Sequence, residues 1–319
     1  MSAAARNGGR TAVWIRSTTV SRQSCYNSFT DIYSAGTGGG RTLPAVRALQ
    51  PTGLMDLGNL PDYWALLARE FQTVENLPPL ADARLLSARA FDESQPAGHR
   101  AYMEAKRYLS VAEDNHEALL ALLEHRGATL WAPWSLLRPV FEASFFASWI
   151  LDPDSGRDRR LRGLRCEVLD CFQQRAHRAA FKKLPEVRRL IEDVERQQEQ
   201  GSLAVYRAEA AALAEPFDRV HQKINIVVEL PRLSFARAQG DFAAFLEGAW
   251  RLLSGFEHGL GWAMLRGANR GAATEVPGGM GMVLSIKDEE FVLAAKTTYA
   301  LLVNACRLFK TRHLEPSPR

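Results

Sequence analysis

Cysteine is scarce in this chain. Cys25, Cys166, Cys171 and Cys306 are scattered through 319 residues, and no two form a CxxC pair. That excludes a disulfide framework. The four read instead as small buried hydrophobes in a reducing compartment, which implies a cytoplasmic location. A secretory signal is not expected either, because residues 1–50 hold no continuous apolar stretch. The run long enough to span a bilayer, 131–151, carries Arg138 and Glu142 near its middle with Pro139 between them. Charges there are costly, so no membrane span is expected. No phosphate-binding loop is present. Gly278-Gly279-Met280-Gly281 lacks the third glycine of a dinucleotide fingerprint. Ser254 and His258 stand four apart with no assignable carboxylate, which leaves a serine hydrolase unsupported. No cofactor is expected, and no internal repeat is visible.

What is present points to helices. The chain is 46% hydrophobic and 24% charged, an ordinary globular composition. Trp131 to Leu151, WAPWSLLRPVFEASFFASWIL, is apolar on almost every side. A helix of that kind belongs in the middle of a core. Arg138 and Glu142 are four apart on one face and can pair there, so a buried ion pair is expected. Further helices are expected over 99–125, 157–183, 185–200, 203–214, 217–227, 242–266 and 288–313, with 79–97 as a loop. Pro and Gly punctuate these segments, and Asp241 stands as a cap before Phe242. Met280, Met282, Leu284 and Ile286 alternate with other residues, which is the period of a strand. The fold is therefore all-α: a bundle of about seven to nine helices, with at most a small hairpin near 272–287.

The charge is unevenly placed. The whole chain carries +4, but six Arg against one Asp give residues 1–50 a charge of +5. Residues 154–189 carry eleven Lys or Arg against five acids, or +6. A basic face over 157–189 would suit RNA or an acidic partner; a solvated helix surface is the plainer reading. Residues 1–54 are rich in Gly, Ser, Thr and Arg and lack a helical period. They read as a disordered tail, a transit-type leader or an over-long start ahead of Met55, and 55–319 as a single helical domain.

The sharpest constellation is Arg251, Ser254 and His258 in WRLLSGFEHGLGW. Seven residues apart on a helix, Arg251 and His258 differ by only about 20° around the axis. Trp262 and Gly255 lie on the same stripe, while Phe242, Phe245, Leu246, Leu253 and Leu260 form the opposite, buried face. An Arg that clamps phosphate and a His that moves a proton can together cleave RNA without a metal. The glycines at 255, 259 and 261 imply a close approach by backbone or ligand. Arg251, six intervening residues and His258 on a helix of an all-helical protein is similar to the Rx4–6H motif of HEPN-domain ribonucleases. That resemblance implies a dimeric helical bundle in which Arg251 contacts phosphate and His258 is the acid or base. Leu252 departs from the pattern, since the residue after the Arg is usually polar there.

A non-catalytic reading competes. Arg138 and Glu142 could meet Arg251, Ser254 and His258 in the core as a network that sets helix register, as buried charges must be paired. The protein would then be a helical scaffold or binding protein, with Arg138, Glu142 and Trp262 as binding residues. Glu113-x-x-His116 has the spacing used by di-metal bundles, and its nearest second copy is Asp218-x-x-His221. Such a centre needs two further helical carboxylates; no metal is expected, and His116 reads as a surface residue.

Overall fold

The computed structural model describes residues 11–15, 60–80, 87–277 and 279–315. Helices dominate: α1 Leu60–Glu75, α2 Ala88–Glu93, α3 Gly98–Arg126, α4 Ala132–Leu151, α5 Gly156–Phe181, α6 Pro185–Gln200 and α7 Ser202–Ala212. Short helices α8 Phe217–Val220, α9 Ile226–Glu229 and α10 Ser234–Arg237 follow, with a 3-10 turn at Leu230–Arg232. Then come α11 Phe242–Glu257, α12 Gly261–Arg266 and the last helix, α13 Asp288–Leu314. The expected all-α architecture holds.

The hairpin lies where the period of two placed it. Strands β2 Ala268–Val276 and β3 Gly279–Ile286 pair antiparallel. Leu284 and Ile286 are buried while Val283 is exposed, so the alternation is an inward and outward face. Thr11–Ile15, β1, pairs antiparallel with the other edge of β3, giving the order β1-β3-β2. The leading segment read as lying outside the fold thus contributes one strand. The rest of 1–54 lies outside the described residues.

Contacts divide the chain into two compact units, each assembled from separate stretches rather than from one continuous run. The first comprises Met1–Tyr63, Asn115–Arg138 and Phe235–Thr298. Its interior includes Leu130, Met264, Ala268 and Leu284. Trp134 stacks on Phe256 at 4.3 Å and meets Phe291 edge-on at 5.2 Å. The second comprises Trp64–Asp114, Pro139–Ser234 and Tyr299–Arg319. Leu164, Val168, Leu203, Tyr206 and Leu213 build one of its cores. Here α5 lies close against α3: a Cβ on Gly163 would sit 2.5 Å from the Ala101 backbone. Helix α4 is buried along both of its parts, at Trp134 and Leu137 and again at Phe141, Phe145 and Ile150.

Three expectations for the elements need correction. The stretch 79–97 is not all loop. Ser87 Oγ accepts from Ala90 N at 3.1 Å and caps α2. Residues 217–227 are not one helix, because Asn225 accepts from Val228 N at 3.4 Å and starts α9 anew. Residues 242–266 are not one helix either. Gly259 takes φ +61°, its N–H donates to Phe256 O at 3.0 Å, and Leu260 N–H donates to Gly255 O at 2.8 Å. These paired bonds around a left-handed residue form a Schellman stop.

Candidate functional site

The stop at Gly259 decides the fate of the Arg251–His258 stripe. Arg251 lies on α11, exposed, with its guanidinium 2.7 Å from Glu247 one turn earlier. His258 is the C-cap of α11, also exposed, and its N–H donates to Ser254 O at 3.1 Å. Ser254 is half-buried. Past the stop, α12 folds back on α11. A Cβ on Gly255 would lie 2.5 Å from Ala263 Cβ and 2.9 Å from Trp262 Cζ2, so the close approach implied by the glycines comes from the chain itself. Trp262 covers that spot and remains about half exposed. Leu260, expected on the buried face, is exposed because the helix ends before it. Leu252, where the HEPN pattern has a polar residue, is buried.

A core network containing Arg251 and His258 is therefore absent: both are exposed. Arg138 and Glu142 are half-buried on α4. A fully buried ion pair lies elsewhere, in the second unit. Arg159 Nε donates to Asp92 Oδ2 at 2.7 Å, and both side chains are completely shielded from solvent. Tyr102 Oη donates to the same oxygen at 2.7 Å. Arg159 Nη1 also reaches the carbonyls of Pro153 and Asp154, at 2.8 and 2.7 Å. Burial pushes the Tyr102 pKa up, and the Asp92 charge adds to it. Beside this pair, Arg100 bridges Glu167 and Glu209, and Tyr206 donates to Glu167 at 3.0 Å. Polar contacts thus join α2, α3, α5 and α7 in this unit.

The basic segment is also used internally. Arg175 pairs with Glu199, Lys182 with Glu195, and Arg157 with Glu215. Arg160, Arg162, Arg165 and Arg188 donate to backbone carbonyls, and Arg178 to Gln198. Of the basic residues over 157–189, Lys183 and Arg189 are left without such a partner among the described residues. His116, read as a surface residue, is buried, and burial pushes its pKa down to about 4. No group of three or more His, Cys, Asp or Glu among the described residues could hold a metal ion. No described helix is long and apolar enough to cross a membrane.

One concave feature escaped the sequence reading. A cleft of about 560 Å³ opens in the second unit between the end of α1, α2, the start of α3 and the end of α13. Arg89 lies in its wall. Its Nε donates to Glu93 Oε1 at 2.6 Å, and its Nη1 stands 3.1 Å from His313 Nδ1. A guanidinium only donates, so His313 Nδ1 accepts. Its Nε2 then carries the proton and donates to Pro78 O at 2.8 Å. Burial holds the His313 pKa below its ordinary value, and the Arg89 charge acts in the same direction. Arg89 also lies over the rings of Tyr102 and Phe309, at 5.4 and 5.7 Å.

No family model matches this chain, nor does any curated protein or solved structure. The residues themselves must carry the functional reading. Those that a sequence search would seek, an Arg and a His at helical spacing, stand exposed on α11. The cleft could not be found that way, because its residues come from four separate helices and its key Arg lies in a stretch that reads as loop.

Proposed function

We propose that this chain is a non-catalytic helical binding protein whose buried polar groups fix helix register. The carrying observation is the Asp92–Arg159 pair, in which two fully shielded charges are paired with one another across helices. A buried pair is weak evidence for net stability but suits a register-setting role. Arg251 is tied to Glu247, a local surface contact without a substrate-facing partner set. The described cysteines, Cys166, Cys171 and Cys306, are free and buried, which supports a reducing, cytoplasmic setting.

A second reading rests on a specific observation. Arg251 and His258 both face solvent near the C-terminal end of α11, where RNA or a second copy could reach them. In that reading the chain is a HEPN-like, metal-independent ribonuclease, with Arg251 on phosphate and His258 moving the proton. Ser254 would lie one turn before His258.

One experiment separates the two. Cells expressing the full chain, His258→Ala or Arg251→Ala are compared for growth and RNA integrity. Equal growth and intact RNA in all three support the binding protein. RNA loss with the wild type alone establishes the nuclease.

A further inference from the structure

We infer that the cleft beside Arg89 binds a small organic carboxylate with an apolar body. This rests on the non-catalytic binding reading, since it assigns a ligand and no reaction. The volume, about 560 Å³, is that of a small-molecule site. The wall is largely apolar: Val74, Leu77, Met103 and Phe309 line it. Met103 is half exposed and stands ready to be covered. Arg89 and Lys106 lie in the lining with Glu93, and Glu75 balances Lys106 from the margin, so the preference for an anion rests on the orientation of Arg89.

Arg89 is what makes this a built site. Glu93, His313 and the two aromatic rings hold its guanidinium in one orientation. Its Nη2 has no hydrogen-bond partner among the described residues. A fixed guanidinium with a donor to spare binds a carboxylate with little ordering cost. Lys106 lies 2.5 Å from Glu75, an exposed pair at the margin that an incoming carboxylate can share. His313 is held neutral with its Nε2 proton donated to Pro78 O, so it orients Arg89 without adding charge. The apolar body would cover Met103 and lie against Phe309, and that burial supplies affinity in proportion to its area.

The test is calorimetric titration of the full-length protein at neutral pH with octanoate, against octylamine and inorganic phosphate. Saturable one-to-one binding of octanoate, with neither control bound, is expected. Lys106→Glu, at a half-buried position, should weaken it about five- to tenfold. Met103→Trp, which fills the mouth, should weaken it further, and Arg89→Gln should abolish it. If Arg89→Gln does not fold, the other two variants decide. No saturable octanoate binding, equal binding of octylamine, or wild-type affinity in Lys106→Glu and Met103→Trp would each overturn the assignment. RNA cleavage by the same preparation would sink the non-catalytic reading and leave octanoate binding standing. Intact RNA with no octanoate binding would do the reverse.

Discussion

Asp92 and Arg159 each depend on the other more than any other pair of charges in the described chain. Neither has access to water, so removing one leaves the other charged in a low-dielectric interior. Asp92→Ala should cost about 3–5 kcal/mol of stability, read as a lower urea midpoint. Replacing both, Asp92→Leu with Arg159→Met, should cost less than either single change; a double variant as damaged as the sum of the two would refute this account. His116 gives a second residue-scale prediction. Its folded pKa of about 4 lies below the ordinary histidine value, so as pH falls the unfolded chain takes up the proton first. Stability is full above the unfolded pKa and is lost between about pH 6.5 and 4, by up to ~3 kcal/mol. Urea midpoints at several pH values should show a shallower fall in His116→Gln than in the wild type. Neither residue announces itself in the sequence. Asp92 lies in a polar, proline-punctuated stretch, Arg159 in a run of surface-like arginines, and they meet across 67 positions.

The helices were mostly legible, because apolar period and capping chemistry act locally. The start of α6 at Pro185, the alternation in β3 and the span of α13 all follow the pattern read from the chain. The breaks were less legible. Asn225 and Gly259 carry the signals for a new start and a stop, but each lies within an otherwise helical apolar pattern. Gly259→Val should therefore cost about 1–2 kcal/mol, since a side chain at φ +61° is strained, and thermal denaturation would register it. Gly163 matters for a different reason. Its missing Cβ lets α5 approach Ala101 on α3, so Gly163→Val should force the helices apart and lower stability by about 1–3 kcal/mol. An unchanged melting temperature in Gly163→Val would show that the two backbones have room to give.

For the molecule as a whole, counting charge along the chain misjudged what the charge does. The excess of +6 over 154–189 resembles a polyanion-binding face, but most of these cations are engaged by Glu195, Glu199, Glu215 or backbone carbonyls. With Lys183 and Arg189 remaining, any RNA affinity supplied by this segment should fall with salt at a logarithmic slope no steeper than about −2. Fluorescence anisotropy across a salt series measures it, and a much steeper slope would mean that the internal pairs open for RNA.

The sequence alone determined the helical class, the hairpin, the apolar character of α4 and most helix limits, because those depend on periodicity and on residues within a few positions of each other. Only the tertiary structure decided that Arg251 and His258 stand in solvent, that the buried pair is Asp92 with Arg159, and that Arg89 and His313 meet in a cleft. Each of those outcomes depends on residues brought together from distant parts of the chain, and burial is a property of the surroundings, which no local pattern encodes.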